Sequence, residues 1–426
     1  MDTPGSPPLE AVRETAASPS ERLSLVLYAA TIFVGAFLLF QVQPLIGKYV
    51  LPWFGGSAGV WAASLLFFQL FLLLGYLYSH VVATWLSPRA QTIVHVVLLA
   101  ATLIALPIIP SNSLKPSGTE NPVAGILVLL ALTIGAPYLA LSANGPLLQH
   151  WFSRQHPGRS PYRLYALSNV ASFLALFSYP LWVESTFALG MQAWLWSATY
   201  VVFAALCVVV ATRAMLALRG GVAPAPLPAA GDASVAASIE SRPAAWRVLL
   251  WVLLPAVASA MLLATTTSLT QDIAPVPMLW VLPLGVYLVT FILTFDSDRW
   301  YYRPLYAVLL GVCLAATTLN VGGWHLSLVQ EVSLRLATLY FIGMVCHGEL
   351  VAMRPGFRHL TLFYLAVSAG GALGGVLVAL VAPVVFNGLW EFHVGIFVAS
   401  IVAASAMGRE WLSTKKQPAS LELAFG

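Results

Sequence analysis

Five carboxamide side chains lie inside long apolar segments of the sequence: Gln43, Gln69, Asn144, Asn169 and Gln271. An amide in hydrocarbon is costly unless it bonds to another helix or faces a water-filled cavity. Because an amide both donates and accepts hydrogen bonds, these residues could bind a small polar or amphipathic solute. The competing interpretation is that they cap helices and pack helices together.

Two charged residues could form an ion pair at one end of these segments. Lys48 follows Gln43 closely, and Asp272 directly follows Gln271. Such a pair could form when that end of the protein closes and break when it opens, although solvation at the membrane interface explains both charges equally well. Pro44 lies between Gln43 and Lys48, and we expect it to end or kink the first segment because proline lacks a backbone N–H.

His347 and Glu349 are candidates for coupling proton movement to a conformational change, because histidine titrates near neutral pH. Positions two apart on a helix point in different directions, so this segment alone cannot supply a compact metal site. The alternative interpretation is structural, with Glu349 paired to Arg354 or Arg358 in the following loop. The three cysteines are far apart in the sequence, and we expect no catalytic residue, bound cofactor or metal site.

The composition places these residues in a membrane protein. Of the 426 residues, 59% are hydrophobic and 8% are charged, whereas an ordinary globular protein has about 45 to 50% and about 25%. Too few charges remain to cover a water-soluble surface. A soluble enzyme and a disordered chain are therefore excluded. The formal net charge of +4 is too small, and the basic residues too scattered, to support nucleic-acid binding.

The apolar residues fall into segments that could each cross a membrane, since a helix needs about 20 mainly apolar residues to span about 30 Å of hydrocarbon. Twelve segments meet this requirement, near residues 23–47, 59–80, 91–110, 122–150, 163–182, 190–212, 246–269, 277–295, 303–320, 328–347, 360–386 and 390–407. The fourth and eleventh are long enough to be tilted or broken.

The basic residues predict how the chain is oriented. With the amino terminus inside the cell, 17 of the 20 Lys and Arg residues fall in cytoplasmic loops, and only Lys48, Lys115 and Arg335 fall outside. Cytoplasmic loops of membrane proteins retain positive charge. We therefore predict twelve spans with both termini in the cytoplasm. The opening residues lack a signal-peptide cleavage site, so we expect the first span to be an uncleaved anchor.

The spans divide into two halves around a segment rich in Pro, Ala and Gly. We predict a disordered cytoplasmic tail at 1–22, a six-helix bundle at 23–212, a flexible cytoplasmic linker at 213–245, a second six-helix bundle at 246–407 and a cytoplasmic tail at 408–426. The halves resemble each other weakly, as in transporters built from parallel repeats, which bind their solute between the halves near the midplane. The predicted fold class is all-α integral membrane, with about 12 transmembrane helices.

Two local patterns predict helix contacts. Glu331 and Arg335 are one helical turn apart, so we expect an intrahelical ion pair. The run from Gly370 to Gly375 contains two overlapping registers of small residues, which let helix backbones approach closely. This surface could be a static packing face or one that slides during a conformational change.

Several short motifs combine Pro, Gly, Trp and charged residues at the ends of the apolar segments. They are FQVQPLIGK at 40–48, LPWFGGS at 51–57, TQDIAPVP at 270–277, WVLPL at 280–284, FDSDRW at 295–300, CHGEL at 346–350 and HLTLFY at 359–364. Together the motifs resemble the membrane portion of bacterial fused major-facilitator/spermidine-synthase proteins, over roughly residues 25 to 400.

This resemblance implies a major-facilitator-like fold in a bacterial inner membrane. In many such proteins a soluble aminopropyltransferase-like domain follows the membrane region. The sequence ends at Gly426, soon after the last predicted span, so we expect that domain to be absent and the chain not to be an enzyme. A link to polyamines follows only from association with the family.

Two functional hypotheses remain open. The first is a major-facilitator-like transporter of a small polar or amphipathic solute, with the five carboxamides as candidate binding residues and Lys48, Asp272, His347 and Glu349 as candidate gating or coupling residues. The second is a membrane scaffold that anchors a separately encoded synthase-like or redox enzyme. The expected partners are the lipid bilayer with either a small-molecule solute or a soluble enzyme.

Overall fold

The computed structural model describes residues 18–55, 58–116, 122–157, 159–219, 243–272, 281–321, 326–386 and 390–415. Within these ranges nearly all residues are helical, and the chain runs back and forth as twelve rods, which we label α1 to α12.

The first six rods share one half of the chain. They are α1 (Pro19–Phe54), α2 (Ala58–Trp85), α3 (Pro88–Thr102), α4 (Pro122–Leu130, a π-helical turn at Ala131–Gly135, then Ala136–Gln155), α5 (Tyr162–Ser178, a π-helical turn at Tyr179–Val183, then Glu184–Thr186) and α6 (Leu189–Arg219).

The remaining six rods follow residues 220–242, which lie outside the described ranges. They are α7 (Ala245–Asp272), α8 (Val281–Asp296), α9 (Arg303–Val321), α10 (Leu328–Ala352), α11 (Leu360–Val376, a π-helical turn at Leu377–Val381, then Ala382–Val385) and α12 (Trp390–Lys415).

The helices have the length and the surface of membrane spans. Ten of the described helices are long and apolar enough to cross a membrane, and α8 and a stretch of α12, Phe392–Ile401, are shorter apolar helices. Large apolar side chains are exposed on the outside, including Val308 at 64%, Phe397 at 67% and Val384 at 84%. Water-soluble proteins rarely expose broad apolar surface. The chain is a multi-pass membrane protein, as its composition predicts.

Proline changes these helices locally without ending them. The expectation that Pro44 could end the first span is wrong, because α1 continues through it to Phe54. Membrane helices tolerate proline where neighbouring helices or local adjustments satisfy the freed carbonyl groups. The long fourth and eleventh spans also stay helical, and each contains a π-helical turn within two residues of a proline, Pro137 or Pro383.

The helices form two halves with the same internal packing. In the first half α1 packs against α4, α5 and α6, and in the second half α7 packs against α10, α11 and α12. Likewise α2 packs against α4, and α8 against α10. The halves meet along two helix pairs, α2 with α11 and α5 with α8. The central helices α1 and α7 therefore belong to different halves and occupy equivalent positions.

Contacts between loops define one end of the bundle, which we call the basic end. Arg159, between α4 and α5, pairs with Glu21 at the start of α1 at 3.0 Å. Arg354, between α10 and α11, lies 3.6 Å from Asp298, between α8 and α9. Since the helices alternate in direction, the loops that carry most of the arginines lie at this end.

The glycines of α11 bring its backbone against α7. A Cβ atom at Gly374 would lie 2.8 Å from the backbone nitrogen of Ala260 and would also clash with the carbonyl oxygen of Ala256. A Cβ at Gly371, three residues earlier, would meet nothing within 4 Å. One face of the glycine run is thus a close packing surface inside the second half. The other face is open at Gly371, whereas Gly375 on that face lies against Gln69 of α2.

Candidate solute-binding site

A cavity of about 210 Å³ lies between the two halves. Its described lining comes from α1, α2, α4 and α5 in the first half and from α7, α8 and α11 in the second. The polar side chains on the wall are amides, hydroxyls and phenols: Gln43, Gln69, Tyr76, Tyr138, Ser142, Asn144, Tyr165, Ser168, Asn169, Ser172, Ser259, Thr266, Tyr287 and Ser368. Both halves therefore contribute hydrogen-bonding groups to one central space.

Four of the five predicted carboxamides line this cavity: Gln43, Gln69, Asn144 and Asn169. They come from four different helices, and the structure brings them together although they are up to 126 positions apart in the sequence. The side chain of Gln271 lies outside the described part of the chain. The structure places these four residues at one cavity. Their role in binding remains a prediction.

Gln69 of α2 reaches across to the second half. Its Nε2 donates to the Oγ of Ser259 on α7 at 3.3 Å, and that hydroxyl donates to the carbonyl oxygen of Gly371 on α11 at 2.9 Å. The Gln69 amide lies against Gly375 of α11, where an added Cβ would clash with its Oε1. This one side chain lines the cavity and also joins the halves, so both interpretations of the carboxamides apply to it.

Asn144 and Asn169 are each held by their own half. Asn169 Nδ2 donates to the carbonyl oxygen of Tyr165, one turn earlier on α5, at 2.9 Å. Asn144 Oδ1 accepts from the Sγ of Cys207 on α6 at 3.5 Å. These bonds favour one orientation of each amide, because a buried amide that rotates away from its partner loses its hydrogen bond.

The hydroxyl groups of the wall were not predicted as site residues. Ser168 and Ser172 line the cavity together with Asn169 on α5. Their spacing of three and four residues places them on one side of a helix, and this could have been read from the sequence. Serine and threonine are common at tight helix interfaces in membranes. The spacing alone therefore does not separate a cavity wall from a packing surface.

Polar contacts join the halves at the basic end. The Tyr364 hydroxyl on α11 donates to Gln149 Oε1 on α4 at 2.5 Å, and the Tyr162 hydroxyl on α5 donates to the carbonyl oxygen of Pro355 at 2.8 Å. The ring of Tyr165 stacks on that of Tyr364 with centroids 5.1 Å apart. This layer of tyrosines separates the cavity from the basic end.

A further polar contact joins α2 and α11 at the same end. His80 Nδ1 and the hydroxyl oxygen of Thr361 are 3.0 Å apart. In the described structure, polar groups from both halves are therefore in contact at the basic end.

Charged groups at the opposite end pair within their own half. Lys48 pairs with Glu184 of α5. A pair with Asp272 was one of two interpretations of these charges, and the Asp272 side chain lies outside the described part of the chain. Arg335 pairs with Glu331 and bonds to Ser268, which confirms the predicted intrahelical pair. Lys48 lies close enough to pair with Glu184 because α1 and α5 pack against each other.

We expect the Lys48–Glu184 pair to contribute little to stability. The two side chains are 37% and 31% exposed, and such ion pairs typically contribute about 0 to 1 kcal/mol because water screens them. Lys48→Ala and Glu184→Ala should each change the free energy of unfolding by less than about 1 kcal/mol in a thermal melt. A larger loss in either variant would show that the pair is buried in the working protein.

Glu349 pairs with Arg303, and the predicted pair with Arg354 or Arg358 is wrong. Arg303 Nε and Nη2 donate to the two carboxylate oxygens at 2.6 and 2.9 Å. The Tyr301 hydroxyl donates to Oε1 at 2.8 Å. Burial, and then the nearby carboxylate, raise the pKa of this hydroxyl above its usual value. The loop between α8 and α9 folds over the end of α10, and a sequence cannot show this because the contact depends on the loop path.

His347 lies behind the cavity wall and away from the carboxylate. Its Nδ1 is 2.9 Å from the hydroxyl oxygen of Thr290, and its ring stacks on Phe291 with centroids 3.7 Å apart. The ring is fully buried, and its Nε2 has no hydrogen-bond partner among the described residues. Phe291 itself lines the cavity. His347 and Glu349 thus have separate environments, and a role in coupling remains a prediction.

The chain is similar to solved transporter structures along nearly its whole length. The proton:xylose symporter XylE, solved with 6-bromo-6-deoxy-D-glucose, is 12% identical, with a TM-score of 0.53 over 93% of this chain and 96% of that one. Inward-open XylE from E. coli is 11% identical, with a TM-score of 0.54 over 90% of this chain and 96% of that one.

A bacterial homologue of the iron transporter ferroportin, in an outward-facing state, is 15% identical. Its TM-score is 0.54 over 91% of this chain and 99% of that one. A scan against protein-family profiles and a search of curated protein sequences find no match. The structural likeness, together with the two six-helix halves, shows that the chain has the major-facilitator fold.

Proposed function

We propose that this protein transports a small polar or amphipathic solute by alternating access. One observation carries the proposal: a cavity at the interface of two equivalent six-helix halves, with hydrogen-bonding side chains from both. Such a cavity can open to either side of a membrane in turn if the halves rock against each other.

The contacts at the basic end are suited to opening and closing. The bond from Tyr364 to Gln149 and the contact between His80 and Thr361 join uncharged groups. Each such bond contributes about 0.5 to 1.5 kcal/mol, because water replaces it when it breaks. Separating the halves at this end therefore requires only a few bonds to exchange with water.

The orientation and family are part of this proposal. Most arginines lie at the basic end, and cytoplasmic loops retain positive charge, which supports a cytoplasmic basic end with both termini inside. We extend this to a bacterial inner membrane through the resemblance to fused major-facilitator/spermidine-synthase proteins. A membrane carrier needs no catalytic residues, which agrees with the prediction that the chain is not an enzyme. Only the association with that family suggests a polyamine as the solute.

A cross-link at the basic end should hold the protein closed there. In a His80→Cys/Thr361→Cys variant, a short bifunctional thiol reagent joins α2 to α11 and so joins the halves. A reporter cysteine at Gly371, on the open face of α11, measures access to the cavity. Before cross-linking, we expect membrane-impermeant thiol reagents to label the reporter from both sides of oriented vesicles. After cross-linking, we expect labelling only from the side opposite the basic end.

The matched control is a cross-link within one half at the same end, in a Glu21→Cys/Arg159→Cys variant. These positions join α1 to the loop between α4 and α5, so two-sided labelling should persist. The native cysteines are buried, and the variant lacking the reporter measures their background. Labelling that the inter-half cross-link does not change would contradict alternating access, and co-purification of a soluble enzyme would then support the scaffold hypothesis.

A further inference from the structure

Five serine and threonine hydroxyl groups of the cavity wall already donate their protons within the protein. Each donates to a main-chain carbonyl oxygen, so it offers only oxygen lone pairs to a solute. The bonds run from Ser142 to Tyr138 at 2.8 Å, from Ser168 to Tyr165 at 2.7 Å, from Ser172 to Ser168 at 2.9 Å, from Ser259 to Gly371 at 2.9 Å and from Thr266 to Leu262 at 2.7 Å.

Two further oxygen atoms on the wall are buried and have no partner among the described residues. They are Gln69 Oε1 and Ser368 Oγ. The Ser259 proton is used on Gly371, so Gln69 must donate through Nε2 to Ser259, and its Oε1 is an acceptor. The Ser368 side chain is only 6% exposed. A buried polar atom without a partner is destabilising, so a bound solute that hydrogen-bonds to it gains affinity. Gln69 Oε1 can only accept such a bond, whereas the Ser368 hydroxyl can accept or donate one.

The wall offers no countercharge. Among the described lining residues there is no Asp, Glu, Lys, Arg or His, and the apolar part includes the rings of Phe40, Phe68 and Phe291. A charged solute would leave its hydration in water without an opposite charge to replace it. An uncharged solute with an apolar face loses little and buries that face against the rings.

The volume sets the size of the solute. A cavity of about 150 Å³ holds benzene, and this one is about 210 Å³. The space therefore accepts one six-membered ring with short substituents, on the order of 10 to 12 non-hydrogen atoms.

We propose that the cavity binds an uncharged, ring-sized, amphipathic solute that carries at least two hydrogen-bond donors, which bond to Gln69 Oε1 and Ser368 Oγ. This proposal concerns binding in the cavity. That the bound solute is also the transport substrate rests on the proposed function.

Four probes of nearly equal size test this preference. Tyrosol, 2-(4-hydroxyphenyl)ethanol, is neutral and has two donors, its dimethyl ether has none, tyramine is a cation and 4-hydroxyphenylacetate is an anion. Affinity is measured for the full chain in lipid nanodiscs, by the shift of the melting temperature and by quenching of tryptophan fluorescence. We expect tyrosol to bind with a Kd on the order of millimolar, as its size predicts, and about tenfold more tightly than each of the other three.

Substitutions locate the bound probe. Ser368→Ala removes one proposed partner and should weaken tyrosol binding by about 2- to 13-fold, the range for one hydrogen bond. Gln69→Leu should weaken it similarly. Thr318→Ala is the control, because its hydroxyl bonds to the carbonyl oxygen of Leu314 on the exposed face of α9. This control should leave tyrosol binding unchanged.

Tighter binding of tyramine or spermidine than of tyrosol would overturn the inference, while the proposed transport function would stand. Equal binding of all four probes, or an unchanged affinity in both cavity variants, would also overturn it. Selective tyrosol binding without counterflow of labelled tyrosol in proteoliposomes would uphold the inference and contradict the transport of this solute class. Counterflow of tyrosol that Ser368→Ala slows would support both.

Discussion

Replacing Arg303 with Met is expected to lower the free energy of unfolding by about 3 kcal/mol. Glu349 is 1% exposed and accepts two bonds from the Arg303 guanidinium. Without Arg303 the carboxylate keeps only the Tyr301 hydroxyl among these partners. A buried charge that loses its partner costs about 3 to 5 kcal/mol, and the lower figure applies because Arg303 itself is 37% exposed. Thermal melting in detergent, followed by tryptophan fluorescence, measures the loss.

Two companion variants separate charge from packing. Arg303→Lys keeps the charge but not the two-pronged geometry, so its stability should fall between those of the native protein and Arg303→Met. In Arg303→Met/Glu349→Leu both charges are gone, and most of the lost stability should return. A double variant that is no more stable than Arg303→Met would contradict this account.

Substituting Gly374 with Ala is expected to destabilise the protein by about 1 to 3 kcal/mol. The new Cβ would lie 2.8 Å from the backbone nitrogen of Ala260 and clash with the Ala256 carbonyl oxygen. Backbone atoms of a packed helix cannot move aside as the end of a flexible side chain can, so α11 must shift away from α7. The shift separates the most closely packed helix pair of the second half.

Gly371→Ala is the matched control on the same helix. Its Cβ meets nothing within 4 Å, and alanine favours a helix over glycine by about 0.8 to 1.0 kcal/mol. This variant should therefore be as stable as the native protein or more stable. Since Gly371 lines the cavity, a change in solute binding without a loss of melting temperature is consistent with its position. Equal melting temperatures for the two variants would refute the role of Gly374 in helix packing.

The length of the apolar segments predicted the twelve helices because the hydrocarbon imposes a minimum length on every span. The same constraint predicted where the carboxamides would meet. Polar side chains such as Asn144 and Asn169 cannot face lipid, so they turn toward the interior, and the interface between halves is the space available. The apolar segments thus predicted the fold, and the cost of polar groups in lipid predicted that these carboxamides lie together.

Pairing between distant residues was less predictable. Lys48 and Glu184 are joined by the packing of α1 on α5, and Glu349 and Arg303 by a loop that folds over the end of α10. Neither follows from spacing along a helix, because each depends on the rotation of two elements about their axes. The sequence also did not predict that several serine and threonine hydroxyls of the wall act as acceptors, because this depends on the carbonyl to which each hydroxyl donates, as for Ser259.

The π-helical turns of α5 and α11 have a consequence for which residues face each other beyond them. A π-helical turn accommodates one more residue than an α-helical turn, which rotates the following side chains by about 100° relative to a regular helix. Glu184 follows directly after such a turn. A helical wheel drawn straight through α5 therefore assigns Glu184 to the wrong direction. Deleting a single residue from Tyr179–Val183 would restore the regular period and leave this carboxylate directed at Lys48, whereas winding all five residues into a regular α-helix would turn it away.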